Sequence, residues 1–281
     1  MTQPETESFQ QKIAKWLERS GYPLEMDVAA LVTKHGFSTY QSEYYLDLES
    51  RDTREIDVVG VLEAQDDVLK LRLTLAIECK TTKDKPWVVF TGATDGPGPY
   101  DVRDRAASTL GAAFLGRIAS RLEIQQLPVF RLPRRVGYAV VRALSNGEDV
   151  PYAAMIGAAK AARSIAWEAS GQRTRNRVAE VVLPVVVING RLFECYLDAT
   201  GERMLAEVPR ATVYWRNPIA GSVHTVVSVI TVGELEPYLD EVKQSFNSLT
   251  TSCSDDLAEA AKAIESARPG SRRDSGAADG V

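Results

Sequence analysis

The sequence has little of what many catalytic and binding sites require. Its 281 residues include only two histidines, His35 and His224. A histidine-based zinc site or a Ser-His-Asp triad would have to use one of these two isolated residues. The three cysteines are far apart and lack CxxC spacing, which indicates neither a disulfide framework nor a zinc knuckle. The Gly-rich segment 92–98 matches neither the dinucleotide-binding pattern nor the P-loop pattern.

Long apolar runs are also missing. The longest, residues 181–188, is interrupted by Pro184 and falls well short of the roughly 20 residues that span a bilayer. The first residues, MTQPETESFQQK, are acidic and polar, whereas a signal peptide needs a basic start and an apolar stretch. We therefore expect a cytoplasmic protein with no membrane association.

The composition is that of an ordinary globular protein, with 44% hydrophobic and 25% charged residues. The formal net charge of −5 disfavours a protein that coats nucleic acid through bulk positive charge. A chain of this length can bury a core large enough for a compact enzyme.

Apolar periodicity and turn residues predict alternating helices and strands. Helices are expected over 5–19, 24–35, 102–124, 152–169 and 233–249. Strands are expected over 37–48, 54–62, 68–81, 136–143, 206–215 and 223–232, with a hairpin over 178–197 around Asn189-Gly190. This pattern predicts an α/β fold with a mixed central β-sheet flanked by helices. We expect a single domain over 1–249, with a core at 21–140 and a β-rich extension at 178–249. A flexible tail follows at 250–281, interrupted at most by a short helix around 255–267.

One group of charged residues in the first third of the chain stands out. Asp57 lies inside the apolar run IDVVGV, and Glu78 and Lys80 lie at the end of the strand LKLRLTLAIECK. Residues two apart share one face of a strand, so Glu78 and Lys80 point the same way. If the two strands are neighbours, the carboxylates of Asp57 and Glu78 converge. Two such carboxylates suit Mg²⁺ or Mn²⁺, the Cys79 carbonyl can complete the shell, and a lysine can orient a water or stabilise a phosphate.

Glu25 is a fourth candidate. The apolar residues Val28, Ala29 and Val32 lie three, four and seven positions further on, which places Glu25 at the edge of a buried helix face. It also lies in the first turn of its helix, where the helix dipole alone favours a negative charge. Both explanations remain open from the sequence.

The order of these elements resembles the core of the PD-(D/E)xK nuclease superfamily, the restriction-endonuclease-like fold. In particular, REIDVVG followed by LAIECK is similar to the two metal-binding strands of that family. The resemblance covers about 21–90. Ile56 stands where the Pro of the family's name would be.

This resemblance implies a Mg²⁺-dependent deoxyribonuclease, with an endonuclease favoured and Mn²⁺ as a substitute metal. Asp57 and Glu78 would be metal ligands together with the Cys79 backbone carbonyl. Lys80 would be the catalytic lysine, and Glu25 the accessory carboxylate. DNA is preferred to RNA on the resemblance alone, and a homodimer is left open.

The charge is unevenly distributed along the chain. Residues 1–79 carry 8 basic and 15 acidic groups, net −7, whereas residues 80–135 carry 10 and 5, net +5. The basic stretch begins at the proposed catalytic lysine and could contact phosphates. The candidate nucleic-acid-binding residues are Lys83, Lys85, Trp87, Arg103, Arg105, Arg134 and Arg135. Two alternatives stay open from the sequence: Trp87 can pack in the core or under a flap, and the basic residues can belong to a solvated helix face.

The sequence leaves two other interpretations open. The chain could be a catalytically inactive nuclease-like fold that binds nucleic acid or a partner protein, or it could be a nuclease that acts on RNA. Retention of the full set Glu25, Asp57, Glu78 and Lys80 argues against loss of activity.

Overall fold

The computed structural model describes residues 8–17, 20–66, 68–82, 85–93, 99–145, 149–171, 177–217 and 223–267. Two helices open the chain, α1 (Phe9–Leu17) and α2 (Tyr22–Lys34), as the apolar spacing predicts. Helix α2 has Pro23 in its first turn, where no backbone N–H is needed. It ends before Gly36, whose positive φ of 87° favours glycine.

A three-stranded antiparallel meander follows, with β1 (Ser38–Leu46), β2 (Thr53–Gln65) and β3 (Lys70–Thr81). The meander confirms the sequence prediction. Alternate residues of β3 lie on opposite faces of the sheet. The leucine row packs against α2, and the opposite row contains Thr74, Ala76 and Glu78, all buried.

The described residues place eleven strands in one mixed sheet. The other strands are β4 (Trp87–Ala93), β5 (Ala106–Ala107), β6 (Arg135–Arg142), β7 (Val178–Asn189), β8 (Leu192–Leu197), β9 (Arg203–Glu207), β10 (Arg210–Asn217) and β11 (Val223–Thr231). The order is β1-β2-β3-β7-β11-β10-β6-β4-β8-β9, and β5 pairs with β7. The predicted α/β class with a large mixed sheet is therefore confirmed.

Strand β7 is a central strand. It runs parallel to β3 over twelve residue pairs and parallel to β11 on its other side. The predicted C-terminal extension is thus wrong for this segment, because 178–189 belongs to the middle of the sheet. A strand buried on both faces is a continuous apolar run, and VAEVVLPVVVIN has that character.

The predicted hairpin around Asn189-Gly190 is also wrong. Strand β8 pairs with β4 and β9, not with β7. The backbone N–H of Thr82 donates to Asn189 O at 3.0 Å and that of Trp87 to Arg191 O at 2.9 Å, so β3 and β7 bend together into β4 and β8. Gly190 lacks the positive φ of a type I′ turn. Glycine is needed there because a Cβ would overlap the Thr82 hydroxyl.

The long helix expected over 102–124 is broken into α3 (Pro99–Arg103), β5, α4 (Thr109–Ile118) and α5 (Leu122–Gln125). Ser108 ends the extended piece and caps α4, since its hydroxyl accepts from the Gly111 N–H at 3.1 Å. The same hydroxyl donates to Val178 O at 2.7 Å. Contact with β7 thus overrides local helix propensity.

Helices cover both faces of the sheet. Helix α6 (Val150–Ala169) packs on one face. Helices α2, α4, α7 (Val232–Ser252) and α8 (Ser254–Ser266) pack on the other. None of the described helices has the length and apolar content needed to cross a membrane.

The boundary expected at 249 is too early. Helix α7 continues to Ser252, and α8 buries Leu257 and Ala260. An ion pair of 2.7 Å joins Arg121 to Asp256. The short helix expected around 255–267 is present, but it is packed against the domain and does not interrupt a flexible tail. The expected flexibility of 268–281 concerns residues outside the described ranges.

Candidate functional site

The carboxyl end of β3 brings three of the four predicted site residues into contact. The antiparallel register places Val58 of β2 opposite Ile77 of β3, so Asp57 is the next residue towards Glu78. Lys80 Nζ lies 2.6 Å from Glu78 Oε2 and 3.6 Å from Asp57 Oδ2. The ammonium group therefore bridges two carboxylates that would otherwise repel each other.

The Asp57 carboxylate is fixed by the backbone. Its Oδ2 accepts from the Cys79 N–H at 2.7 Å, so the side chain takes over a position at the end of the strand ladder. Across from it, β1 pairs Gln41 with Val58 and Glu43 with Ile56, which leaves Ser42 facing Asp57 with a positive φ of 52°. A non-glycine residue in this conformation marks a local irregularity of the strand beside the site.

Glu78 is almost completely buried, at 8% exposure, beneath helix α6. Burial and the nearby charges of Asp57 and Glu25 raise its pKa, although the charge of Lys80 opposes them. The Tyr45 hydroxyl donates to Gly157 O at 3.3 Å, and burial together with the Glu78 charge raises the pKa of Tyr45 to about 12. Glu78 thus lies in a tightly packed, weakly hydrated position.

Lys80 stays protonated in this setting. Burial acts to lower its pKa, but the negative charges of Glu78 and Asp57 outweigh burial and raise the pKa above its usual value. A lysine of this kind donates hydrogen bonds and stabilises negative charge. It is unsuited to act as a base.

Glu25 lies near this group without joining it. Burial raises its pKa, and so does the charge of Asp57, while Lys80 opposes them. In the described part of the chain, Glu25 forms no hydrogen bond or ion pair with the other three residues. The role of Glu25 as an accessory carboxylate stays a prediction. The charges of Asp57 and Lys80 act on it in addition to the helix dipole.

Helix α6 is held over the site by a partly buried ion-pair network that the sequence analysis did not predict. Asp47, at 0% exposure, contacts Lys160 and Arg54, each at 2.9 Å. Glu49 contacts Lys160 and Arg163, each at 3.0 Å. Lys160 follows Gly157 by one helical turn, so the network fastens the part of α6 that covers Glu78.

Gly157 was also missed. A Cβ at this position would lie 2.8 Å from Glu78 Oε1, so the helix can approach the carboxylate only because it carries glycine there. The available signal was a glycine inside an otherwise Ala-rich helix, MIGAAKAA, where glycine costs helix stability unless close packing requires it.

The donor set suits a hard divalent cation in part. Asp57 and Glu78 supply carboxylate oxygens, and Glu25 lies nearby. Burial is the main cause of the raised pKa values of both glutamates, and the charge of Asp57 adds to it. However, no group of three or more His, Cys, Asp or Glu side chains within the described ranges is arranged to hold a metal. A metal would therefore rest on Asp57 and Glu78 with backbone or solvent oxygens. The Cys79 thiol is buried, and the role of its carbonyl stays a prediction.

The predicted nucleic-acid-binding residues divide into three groups. Trp87 and Arg105 were wrong: Trp87 is fully buried in the core, and buried Arg105 donates to the carbonyls of Asp101 and Val129 at 2.7 and 2.8 Å. Burial lowers the pKa of Arg105 to about 10. Lys83 lies outside the described residues.

The remaining candidates are accessible but dispersed. Lys85, Arg103 and Arg134 are exposed, while Arg135 contacts Glu194 at 2.8 Å and stacks over Tyr196. Arg135 pairs with Ala93, at the far end of β4 from Trp87. The six residue steps of β4 span about 20 Å. Arg134 and Arg135 therefore lie in a different region of the surface from Lys85, which precedes the start of β4.

Comparison of the chain with protein-family models, with curated proteins and with solved structures finds no match.

Proposed function

We propose that this chain is a metal-dependent nuclease that hydrolyses phosphodiester bonds in DNA and has a restriction-endonuclease-like core. The observation that carries the proposal is the position of Lys80 Nζ, 2.6 Å from Glu78 and 3.6 Å from Asp57 at the end of neighbouring antiparallel strands. This arrangement agrees with the similarity of REIDVVG and LAIECK to the metal-binding strands of PD-(D/E)xK nucleases.

Asp57 and Glu78 would hold the Mg²⁺ or Mn²⁺ ion. When bound, the ion polarises the scissile phosphate and lowers the pKa of the attacking water. The Cys79 N–H keeps the Asp57 carboxylate in place. The protonated Lys80 donates to the attacking water or to a phosphate oxygen and stabilises the negative charge that develops there. Glu25, with its raised pKa, is the nearby carboxylate suited to accept the proton of that water.

The test is cleavage of single- and double-stranded DNA and of RNA with Mg²⁺ or Mn²⁺. Lys80→Ala and Asp57→Asn should each lower the rate about a hundredfold or more. Lys70→Ala, on the same face of β3, and Asp27→Asn, exposed on α2, are matched controls that should cleave like the parent. Absence of metal-dependent cleavage, or full activity in Lys80→Ala, overturns the proposal. Cleavage of RNA alone overturns the assignment of DNA.

The alternative is a nuclease-like fold that binds nucleic acid or a partner protein without cleaving. Calorimetric titration with Mn²⁺ separates it from the nuclease. A nuclease site binds the metal and loses it in Glu78→Ala, whereas a binding module has no need for the metal. This alternative is favoured by one observation: the described residues hold no group of three or more His, Cys, Asp or Glu side chains arranged around a metal position.

A further inference from the structure

A cavity lies at the end of β4 that is farther from the carboxylates of Asp57 and Glu78. It has a volume of about 640 Å³ and forms where the parallel strands β4 and β8 separate. Their last pair is Phe90 and Cys195, and beyond it β4 continues to Ala93 and β8 to Leu197. Crevices at the carboxyl ends of parallel strands are common places for ligands in α/β sheets.

The cavity is positively charged. Arg134, Arg135 and Arg203 line it, with Asp198 as the acidic residue of the lining. The Asp198 carboxylate accepts from the N–H and hydroxyl of Thr200, at 2.8 and 2.7 Å, and these hydrogen bonds lower its pKa, so it stays ionised and offsets one arginine charge. Glu194 pairs with Arg135 at 2.8 Å, which leaves one positive charge in excess. Arg203 is exposed, and its side chain has no hydrogen-bond or ion-pair partner among the described residues.

A β-bulge turns a tyrosine into this cavity. The pairing of β4 with β6 shifts between Phe90, opposite Ala139, and Thr91, opposite Gly137, so Tyr138 is the extra residue. Bulges redirect side chains and are frequent beside binding sites. Tyr138 lines the cavity and is 73% exposed, which leaves its ring face available for stacking.

We propose that this cavity binds a nucleotide, with its phosphate on Arg134 and Arg203 and its base stacked on Tyr138. Arginine suits phosphate because its guanidinium group donates two parallel hydrogen bonds. An exposed aromatic ring beside that charge selects a ligand with a planar base over a simple anion. The volume lies within the range of about 300–1,000 Å³ that is typical of small-molecule sites. The nucleotide is either free or part of a single strand.

The proposal is independent of the nuclease function, since it uses none of Glu25, Asp57, Glu78 and Lys80. It is therefore tested in EDTA, where cleavage plays no part. The probes are adenosine monophosphate, inorganic phosphate and a labelled single-stranded DNA oligonucleotide. Cys195, partly exposed in the lining, supplies a second readout, because a bound nucleotide should slow its alkylation.

Tyr138→Ala and Arg203→Ala should each weaken nucleotide binding about tenfold. Tyr44→Ala and Arg117→Ala remove an exposed tyrosine and an exposed arginine elsewhere and should bind like the parent. Binding of the monophosphate identifies a free nucleotide, and variant-sensitive binding of the oligonucleotide alone identifies a strand. The proposal is overturned if neither binds, if Tyr138→Ala binds like the parent, or if phosphate binds as tightly as the monophosphate.

Discussion

Gly157 of α6 lies directly against the carboxylate of Glu78, so closely that a methyl group on Gly157 would be 2.8 Å from Glu78 Oε1. The helix and the carboxylate are held from both sides, since Lys160 ties α6 to Asp47 and Lys80 holds Glu78. The position of one metal-binding candidate therefore depends on a backbone contact from a distant part of the chain.

Gly157→Ala should lower the cleavage rate and the Mn²⁺ affinity while leaving the free energy of unfolding nearly unchanged. Alanine favours the helix by about 1 kcal/mol, which offsets the cost of moving the Glu78 carboxylate by a few tenths of an ångström. We expect a folded protein whose free energy of unfolding changes by about 1 kcal/mol or less, but whose Mn²⁺ affinity and cleavage rate fall at least tenfold. Calorimetry, urea unfolding and a cleavage assay measure these quantities.

The control for this variant is Gly116→Ala in α4, where a Cβ would meet no atom within 4 Å. It makes the same change in a helix away from the site and should leave metal binding unchanged. Equal metal affinity in the parent and in Gly157→Ala would contradict the positioning role.

Asp47→Asn should make the protein less stable in a pH-dependent way. Burial acts to raise the pKa of Asp47, but hydrogen bonds from Lys160 and from the N–H of Glu49 outweigh it and lower the pKa from 3.8 to about 2. A carboxylate with a depressed pKa in the folded state stabilises the protein above its unfolded pKa, and this contribution is lost as pH falls through the folded value.

We therefore expect Asp47→Asn to lose about 2 kcal/mol of unfolding free energy at pH 7. The parent and the variant should converge as the pH falls from about 4 towards 2. Urea unfolding at several pH values measures both curves, and Asp52→Asn, exposed in the same turn, is the control. A difference that stays constant over this range would show that Asp47 acts through shape and not through charge.

Trp87 should affect folding and leave nucleic-acid binding unchanged. It is fully buried in a cluster with Val89 and Leu192, so Trp87→Ala should cost about 3–5 kcal/mol of stability. Trp87→Phe keeps most of the apolar volume and should bind an oligonucleotide as the parent does. Anisotropy measurements check this, and a tenfold loss in folded Trp87→Phe would restore the base-stacking role.

The sequence predicts the meander and the contact between Asp57, Glu78 and Lys80 because the information is local. Period-two alternation over 68–81 sets the faces of β3, and short turns make its neighbours antiparallel. Glu25 is placed by the same logic on the edge of α2. These are interactions within one stretch of about 60 residues.

The predictions are wrong where contacts with a segment far along the chain determine the local structure. Gly190 resembles a hairpin glycine, but its role is set by Thr82, more than a hundred residues earlier. Ala106 pairs with Val182 of β7 and interrupts a segment that would otherwise favour a helix. Trp87 is a base-stacking candidate only because it follows a charged loop, whereas in the structure β8 and α6 cover it. No local pattern encodes such partners.

The pairing of β3 with β7 also determines when the site can form. All four candidate residues lie within the first 80 positions, but Glu78 pairs with Val186 and Lys80 with Ile188. Until residue 189 has left the ribosome, β3 has an unpaired apolar edge, and such edges recruit other chains. Pairing across more than a hundred residues is slow to form. In a newly made chain, the carboxylates of the site are therefore present before β7 has paired with β3 and fixed their positions. During this period aggregation through the free edge of β3 competes with folding.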